Sequence, residues 1–586
     1  MTRILKRLSL AEWLQAAISL VFIVAQVWLD LKLPDYMSQI TILTQTPGSE
    51  MAKIWEAGGY MLLCALGSFA GAVIVGFYAA RIASSFSQRL RSLLFNKVDS
   101  FSMEEISRFS TASLITRSTN DVTQIQILIT MGLQMIVKAP IMAVWAITKI
   151  ANKGMEWTVA TGISVAVIML MMGLLMIFVL PKFRKIQTLT DNLNRVTMEN
   201  LSGVRVVRAY NAEAYQNEKF EVANEELTRN QLYTSRGMAI MMPVMMAVMS
   251  GLTLAIYWIG AYLINAAQAM ERLTLFSNMV VFSAYAMQVI MSMMMLVMIF
   301  FLLPRAMVSA KRINEVLETE PMIVGGDATN GLPGVAGEVT FNHVSFRYPG
   351  ASEDVLHDVS FTAKKGETVA FIGSTGSGKS TVINLVPRFF DATEGEVLVD
   401  GVNVKMYTQE SLNNKIGYVP QSAVLFKGTV RSNVAYGDNG QGESTLEDVK
   451  RAVATAQGTD FVEKMDDTYD AEIAQGGTNV SGGQKQRLSI ARAVCRKPEI
   501  YIFDDSFSAL DYQTDRLLRN ALKQETAGVT SLIVAQRIGT IMGADRIVVL
   551  DEGSVVGIGT HRELLKTCEV YHEIAVSQLS EEELAK

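Results

Sequence analysis

A glycine-rich loop followed by lysine and serine is the part of this 586-residue sequence whose spacing points most directly to chemistry. The apolar run Thr368–Ile372 leads into it and has the composition of a buried strand. Backbone N–H groups of such a loop can close around phosphate oxygens, the lysine can meet the terminal phosphates, and the next hydroxyl can ligate Mg²⁺. The pattern therefore predicts a loop that binds ATP with Mg²⁺, formed by Gly373, Ser374, Thr375, Gly376, Ser377, Gly378, Lys379, Ser380 and Thr381.

A carboxylate further along the chain fits the same metal site. The apolar run Ile500–Phe503 ends in Asp504, the arrangement of a buried strand with an acid at its end that helps to hold Mg²⁺ in phosphate-loop proteins. An apolar strand ending in aspartate is common by itself. The assignment is strengthened by a third motif, which opens a predicted helix before this strand and consists of Ser481, Gly482, Gly483 and Gln484.

The order of the three motifs resembles that of the ABC ATPase family, in which the signature Val480 to Gln484 lies between the two nucleotide motifs. The resemblance implies that Tyr348 stacks on adenine and that Gln421 ligates Mg²⁺ and touches a membrane domain. It also implies a D-loop at Ser508–Asp511. Two nucleotide domains of this family face each other head to tail, so the signature of this chain would complete the ATP site of a partner.

Two positions depart from the family pattern. Asp505 stands where the family has a general-base glutamate, and Gln536 stands where it has a histidine that contacts the γ-phosphate. Losing one methylene retracts the carboxylate by roughly 1 Å, and a misplacement of that size can cost about 10²-fold in rate. Glutamine can donate a hydrogen bond but is neutral. These changes predict a degenerate site that holds ATP and hydrolyses it slowly; a fully competent ATPase is the alternative, because aspartate can serve as a base.

An intact signature beside a degenerate site predicts a heterodimer with a second ABC half-transporter that carries the glutamate and the histidine. The arrangement resembles heterodimeric bacterial multidrug exporters. That resemblance implies ATP-driven efflux of amphipathic small molecules or drugs. Export of a lipid or peptide, and an ATP-sensing regulatory or gating subunit, are the alternatives.

The apolar composition of the chain, 50% with a mean hydropathy of +0.25, requires a membrane part. About 20 mostly apolar residues cross the ~30 Å hydrocarbon core as a helix. Six stretches qualify. Their approximate bounds are Glu12 to Leu33, Gly59 to Ala80, Gln126 to Ile150, Trp157 to Leu180, Met238 to Ile264 and Leu275 to Leu303.

Charge predicts the orientation of these spans. The two long segments after spans two and four are rich in lysine and arginine, so they are expected in the cytoplasm with both termini and the nucleotide-binding domain, in a multi-pass protein of the cytoplasmic membrane. Residues 1–13 are expected to form an interfacial helix. The connections on the outer side are Pro34–Lys53, Asn152–Glu156 and Ala266–Arg272. The net charge of −5 without a basic block argues against nucleic acid as a partner.

The predicted fold is an all-α six-helix transmembrane domain of the ABC exporter type over residues 1–311, a turn-rich linker over 312–337, and an α/β P-loop ABC nucleotide-binding domain over 338–586. Polar breaks at Phe109–Asn120 and Asn200–Asn211 are either transverse helices or ordinary solvated turns. The family resemblance favours a coupling helix at the second break.

Spans four to six are dense in methionine, whose flexible thioether suits a cavity for unlike apolar ligands but also packs well against lipid and helices. Polar residues within the spans are costly against lipid and are expected to face the interior. Lys138 is ambiguous, and snorkelling to the inner interface is the favoured interpretation. The polar set is Gln134, Lys138, Asn278 and Gln288.

Overall fold

The computed structural model divides the chain into two compact units, which are described separately. The first contains Met1–Asp99 and Ala112–Thr319, and the second contains Ser100–Thr111 and Glu320–Lys586. The structure describes residues 2–46, 48–151, 154–440 and 442–579. Residues 152 and 153 of the predicted outer connection Asn152–Glu156 lie outside these ranges.

The chain up to residue 318 is helical. Its helices are α1 (Thr2–Leu5), α2 (Leu10–Gln45), α3 (Met51–Asp99), α4 (Met103–Phe109), α5 (Thr111–Ala151), α6 (Met155–Phe178), α7 (Leu180–Ser202), α8 (Val204–Ala209), α9 (Glu213–Ala266) and α10 (Ala269–Glu318). Six of them, α2, α3, α5, α6, α9 and α10, are long and apolar enough to cross a membrane. A helix satisfies its own backbone hydrogen bonds, which lipid cannot do. The prediction of six spans is confirmed.

An aromatic cluster holds four of the spans together. The rings of Trp157 on α6 and Phe282 on α10 lie 5.6 Å apart, and Trp157 Nε1 donates to the carbonyl of Ile256 on α9 at 3.1 Å. The Tyr285 hydroxyl of α10 donates to the carbonyl of Leu31 on α2 at 3.0 Å. Large rings that also satisfy their polar atoms fix the packing of the helices around them.

Two predicted boundaries differ from the structure. The break expected at Phe109–Asn120 is shorter than predicted, because the backbone turns at Ser110 with φ 58° and residues from Thr111 onward are helical. Ser102 and Glu105 cap the short helix α4 reciprocally, which starts a new helix in a polar stretch. The first seven residues of the predicted linker, 312–318, belong to α10. At the second expected break, the short helix α8 stands between α7 and α9.

The second unit carries the strands. They are β1 (Val339–Phe346), β2 (Leu356–Ala363), β3 (Thr368–Gly373), β4 (Glu394–Val399), β5 (Val402–Asn403), β6 (Ile416–Val419), β7 (Gly428–Thr429), β8 (Glu472–Ile473), β9 (Ile500–Asp504), β10 (Thr530–Val534), β11 (Arg546–Asp551) and β12 (Ser554–Gly559). The six-stranded sheet has the order β12-β11-β3-β10-β9-β6 and is parallel except for β12. An antiparallel sheet has the order β2-β1-β4-β5.

Helices flank these sheets and give the predicted α/β unit. They are α11 (Lys379–Leu385), α12 (Gln409–Asn414), α13 (Val430–Val434), α14 (Leu446–Thr455), α15 (Thr459–Val462), α16 (Gly482–Cys495), α17 (Tyr512–Glu525), α18 (Ile538–Ile541), α19 (His561–Thr567) and α20 (Glu569–Gln578). Strand β10 pairs with β3 on one side and β9 on the other. Because the carboxyl ends of parallel strands meet at one edge of a sheet, the residues that follow β3, β9 and β10 are brought together there.

Candidate functional site

The glycine-rich loop connects β3 to α11 at this edge. Gly376 and Gly378 have φ values of 89° and 92°, in the left-handed region that glycine adopts without strain. Lys379 Nζ donates to the carbonyl oxygens of Gly373 at 3.0 Å and Ser374 at 2.6 Å, so its ammonium group lies over the loop. Burial lowers the pKa of Lys379, while the nearby carboxylates of Asp505 and Asp504 act in the opposite direction. The loop thus combines backbone donors with a cation, the two features that bind phosphate.

Ser380 and Asp504 form a hydroxyl and carboxylate pair beside this loop. Ser380 Oγ donates to Asp504 Oδ1 at 2.7 Å, and the Asp504 side chain is buried. Burial raises the pKa of Asp504, and the hydrogen bond from Ser380 opposes the shift. A carboxylate kept from water in this way gains most from a cation.

These oxygens fit Mg²⁺ when phosphates share the metal. Among the described residues, no three His, Cys, Asp or Glu side chains are grouped closely enough to hold a metal by themselves. Mg²⁺ takes one or two protein oxygens and completes its shell with water and substrate phosphates. The donors here are the Ser380 hydroxyl and the Asp504 carboxylate, whose 2.7 Å separation brings both within reach of one ion.

The Asp505 carboxylate accepts hydrogen bonds from two glutamine side chains. Its backbone turns away from β9 with φ 45°, and its carboxylate oxygen Oδ2 accepts hydrogen bonds from Gln536 Nε2 at 2.8 Å and Gln421 Nε2 at 3.3 Å. Burial raises the pKa of Asp505, and the hydrogen bonds from Gln421 and Ser508, followed by the charge of Lys379, oppose the shift. The two positions that depart from the family pattern are therefore bonded directly to each other.

Tyr348 lies next to the glycine-rich loop. Its hydroxyl is 3.0 Å from the Thr381 hydroxyl, and its ring meets Phe346 and Phe390 edge to face with centroids 4.9 Å and 5.3 Å away. These two rings fix the plane of the tyrosine. Thr381 directly follows Ser380, so the half-buried Tyr348 ring lies close to the predicted metal-binding hydroxyl and is available for stacking on a base.

The signature residues open helix α16 in the second unit. Ser481 is the N-cap of α16, and it forms a reciprocal capping box with Gln484, with distances of 3.3 Å and 2.8 Å. A Cβ built on Gly482 meets no atom within 4 Å, and one on Gly483 comes closest to the Ala509 carbonyl at 3.6 Å. In the described part of the chain, no recorded hydrogen bond joins Ser481 to Gln484 with the glycine-rich loop. The signature is thus capped, exposed and next to the predicted D-loop.

The membrane unit contains an ion pair that corrects the interpretation of Lys138. Its Nζ lies 3.1 Å from Asp30 Oδ2, and both side chains are largely shielded, so the lysine does not snorkel to the inner interface. Asp30 also accepts a hydrogen bond from the Ser68 hydroxyl through its side chain, and one from Gln288 Nε2 at 3.1 Å through its backbone carbonyl. Gln134 and Lys138 line a cavity of about 140 Å³ together with Gln26. A charged residue in lipid needs a partner, and here the partner is an aspartate on α2.

A second ion pair was also missed from the sequence. Lys149 Nζ lies 2.9 Å from Asp35 Oδ2, and Tyr285 donates to Asp35 Oδ1 at 2.6 Å. The signal was available, because Asp30 and Asp35 both interrupt or border the first apolar run. The methionines show no common environment: Met172 and Met245 are buried, while Met242 and Met246 are exposed. Asn278 is half-buried.

The fold and the site define a class: a polytopic membrane unit together with an α/β unit that has a glycine-rich loop between a strand and a helix, a carboxylate at the end of a buried strand and a capped signature helix. The sequence matches the family described as "ABC transporter transmembrane region" over residues 12–304 and the one described as "ABC transporter" over residues 356–508. The chain belongs to the ABC transporter family, and its second unit is the ATP-binding domain.

Similar proteins align with this chain over most of its length. An uncharacterized ABC transporter ATP-binding protein of Mycobacterium tuberculosis is 41% identical over 89% of this chain and 87% of its own length. The uncharacterized ABC transporter ATP-binding protein YfiB of Bacillus subtilis is 36% identical over 97% of both. An ATP-dependent lipid A-core flippase of Pseudomonas fluorescens is 32% identical over 85% of this chain and 81% of its own.

A solved structure, "Structure of a bacterial Atm1-family ABC exporter with ATP bound", superposes with a TM-score of 0.77 at 24% identity and covers 98% of this chain and 99% of that one. This likeness establishes the fold, and the predicted six-helix membrane domain followed by a nucleotide-binding domain is confirmed.

Proposed function

We propose that this chain is one half of a heterodimeric ABC exporter of amphipathic small molecules or drugs, which binds ATP with Mg²⁺ at its own site but hydrolyses it slowly there. The hydrogen bond from Gln536 to Asp505, at 2.8 Å, carries the proposal. It ties together the two groups that would otherwise act on the attacking water and the γ-phosphate. The lysine and arginine distribution supports an orientation with both termini and the ATP-binding domain in the cytoplasm.

Residues around the glycine-rich loop have separate roles in holding the nucleotide. Backbone groups from Gly373 to Gly378 and the Lys379 ammonium bind the phosphates, and the Tyr348 ring stacks on adenine. Ser380, Gln421 and Asp504 hold Mg²⁺. The metal, when bound, neutralises phosphate charge.

The slow hydrolysis that we propose results from the position of the Asp505 carboxylate rather than from its basicity. Burial raises the pKa of Asp505, which by itself would make its carboxylate a better proton acceptor. A general base must, however, reach the proton that it removes, and the aspartate is shorter than glutamate by one methylene. Two amide groups also hold its Oδ2 atom, at 2.8 Å and 3.3 Å. Gln536 lacks the positive charge that a protonated imidazole can bring to the γ-phosphate.

The signature supports a partner with a complete site. Ser481 to Gln484 retain the family residues, Ser481 caps α16, and the surface around Gly482 is open. A second half-transporter carrying glutamate and histidine at the positions of Asp505 and Gln536 would use this signature to hydrolyse its own ATP. A weakened signature in that partner would face the glycine-rich loop of this chain.

Nucleotide trapping in the purified heterodimer tests this assignment. Photoreactive ATP with orthovanadate labels a subunit only after that subunit's own ATP site has hydrolysed ATP. We expect the trapped label on the partner to exceed that on this chain by about tenfold or more, as a 1 Å misplacement of a base allows. Labelling without turnover, at low temperature and without vanadate, is the control and should mark both subunits. Equal trapping in both chains, or full transport by a homodimer of this chain, would contradict the proposal.

Lipid export is a second candidate, favoured by relatives of 30–32% identity that are named ATP-dependent lipid A-core flippases. Proteoliposomes distinguish it from drug export, because ATP would drive either a fluorescent lipid across the bilayer or a cationic dye into the lumen of inside-out vesicles. Movement of neither, with intact ATP binding, would identify the chain as a regulatory or gating subunit instead.

A further inference from the structure

A pocket of about 860 Å³ in the membrane unit has one apolar end and one basic end. Helices α6, α7 and α9 form it where α6 ends at Phe178 and α7 begins at Leu180. The apolar end contains Leu174, Phe178 and Ile240, three side chains that are largely exposed in this unit. A volume of several hundred Å³ accommodates a ligand of drug size or the polar half of a lipid.

The shape of the pocket follows from a helix break and a glycine. Pro181 lies in the first turn of α7, where it interrupts the backbone ladder between α6 and α7. Helix α9 passes close to this break at Gly237, where a Cβ would come within 2.7 Å of Val179 Cγ2. The close crossing on one side and the break on the other leave a groove between the three helices.

The basic end carries more positive than negative charge. Four cationic side chains line the pocket, Lys182, Lys185, Arg229 and Arg236, against the single carboxylate of Glu226. Glu226 pairs with Lys185 at 3.0 Å, and Arg229 pairs with Glu225 at 3.1 Å. Within the described ranges, no ion pair with a carboxylate is recorded for Lys182 or Arg236. The Lys182 ammonium lies 5.7 Å from the centre of the Tyr233 ring.

Both helical walls change from basic to apolar at the same level. On one wall Phe178 is followed by Lys182, and on the other Arg236 is followed by Ile240. Basic pockets between transmembrane helices on the cytoplasmic side bind anionic headgroups, and apolar walls accept the adjoining chains. Scattered interfacial lysines and arginines would only snorkel, but these four line one open groove.

We infer that this pocket binds one anionic phospholipid, with its headgroup phosphate on Lys182 and Arg236 and an acyl chain along Leu174, Phe178 and Ile240. The site is separate from the ATP site, and its occupancy does not depend on whether Asp505 is a poor base. The lipid is a resident ligand of the membrane unit in this assignment, not the exported molecule.

Native mass spectrometry of the purified transporter in detergent tests the site with dioleoyl phosphatidylglycerol as the probe. The variant Lys182→Gln/Arg236→Gln removes the two headgroup contacts. The matched control Arg81→Gln/Arg91→Gln removes the same charge from two exposed positions on α3 that do not line the pocket. We expect the pocket variant to lower the one-to-one phosphatidylglycerol complex about tenfold, as loss of paired charge contacts allows, and the control to leave it unchanged. Equal retention in both variants would overturn the inference.

Two further experiments identify the ligand in the pocket. Millimolar inorganic phosphate should not displace the lipid, and dioleoyl phosphatidylcholine should bind far more weakly; displacement by phosphate alone would mean an anion site without a lipid. In the assembled transporter, Phe178→Cys should react with a maleimide and be protected by phosphatidylglycerol, with the wild-type protein as the blank for Cys64, Cys495 and Cys568. A cysteine that is unreactive with or without lipid would show that the partner subunit covers the pocket, and would also overturn the inference.

Discussion

Gln536 donates a 2.8 Å hydrogen bond to Asp505, so the residue at the end of one strand fixes the carboxylate at the end of its neighbour. The pairing is possible because β9 and β10 are parallel and in register, with Asp504 opposite Val534. The two substitutions therefore form one local structure, in which an amide group, rather than an imidazole, faces the acid.

The variant Asp505→Asn tests whether that acid acts as a base. In the proposed heterodimer we expect ATPase activity to change by less than about twofold, because the neutral amide occupies the same volume and the proposal assigns hydrolysis to the partner's site. The control is a variant with glutamine in place of the partner's glutamate. This variant should lower ATPase activity about 10²-fold or more. Steady-state phosphate release measures both. A large loss from Asp505→Asn would contradict the degenerate site.

Restoring the family residues should reactivate the site. We expect Asp505→Glu/Gln536→His to raise hydrolysis about 10- to 100-fold when the partner's own base is disabled, because the carboxylate then extends by the missing methylene. The single variant Asp505→Glu should gain less, since Gln536 remains directed at position 505. Single-turnover ATP cleavage is the measurement. Activity that stays at background in the double variant would mean that the site lacks something other than these two groups.

The sequence predicted which side chains lie around the glycine-rich loop, but it did not predict the hydrogen bonds among them. Motif spacing identified Lys379, Ser380 and Asp504, because glycines, a lysine and a strand-ending acid have narrow chemical roles. It also identified Asp505 and Gln536 as departures. Their mutual hydrogen bond depends on which strands are neighbours, and a one-dimensional pattern does not contain the order of strands in a sheet.

Substitutions of Ser481 separate its capping role from its expected contact with the partner's nucleotide. Ser481→Ala removes an N-cap and should cost about 1 kcal/mol of stability, whereas Ser481→Asp retains an oxygen that can accept from the Gln484 N–H. We expect both variants to lose most of the heterodimer's ATPase activity, since neither has a hydroxyl to donate to a phosphate. Thermal unfolding should show a lower midpoint for alanine only. An Asp variant with normal ATPase activity would rule out this role for the serine.

In the membrane unit, hydropathy predicted the spans but not the partners of their charges. The six apolar runs are long enough to be unambiguous, while the pairing of Lys138 with Asp30 depends on how α5 and α2 pack. The extent of the break expected at Phe109–Asn120 was overestimated for a related reason. Polar residues from Thr111 onward resemble a turn in composition, yet helical neighbours and the π-helical segment Arg117–Asp121 keep them in α5.

Removing one charge of the Lys138 and Asp30 pair should lower the stability of the protein more than removing both charges. Lys138→Met leaves the largely shielded Asp30 carboxylate without its cation, and we expect a loss of stability that approaches the about 3–5 kcal/mol that breaking a fully buried pair costs. Lys138→Met/Asp30→Asn removes both charges and keeps an oxygen for the Ser68 hydroxyl, so we expect most of the stability to return. The control is Arg195→Met, which breaks an exposed 2.6 Å pair with Glu199 and should cost no more than about 1 kcal/mol. Thermal unfolding midpoints in one detergent measure all three variants. If Lys138→Met lowered the midpoint no more than Arg195→Met does, the pair would not be a buried one, and Lys138 would instead be solvated at the membrane surface.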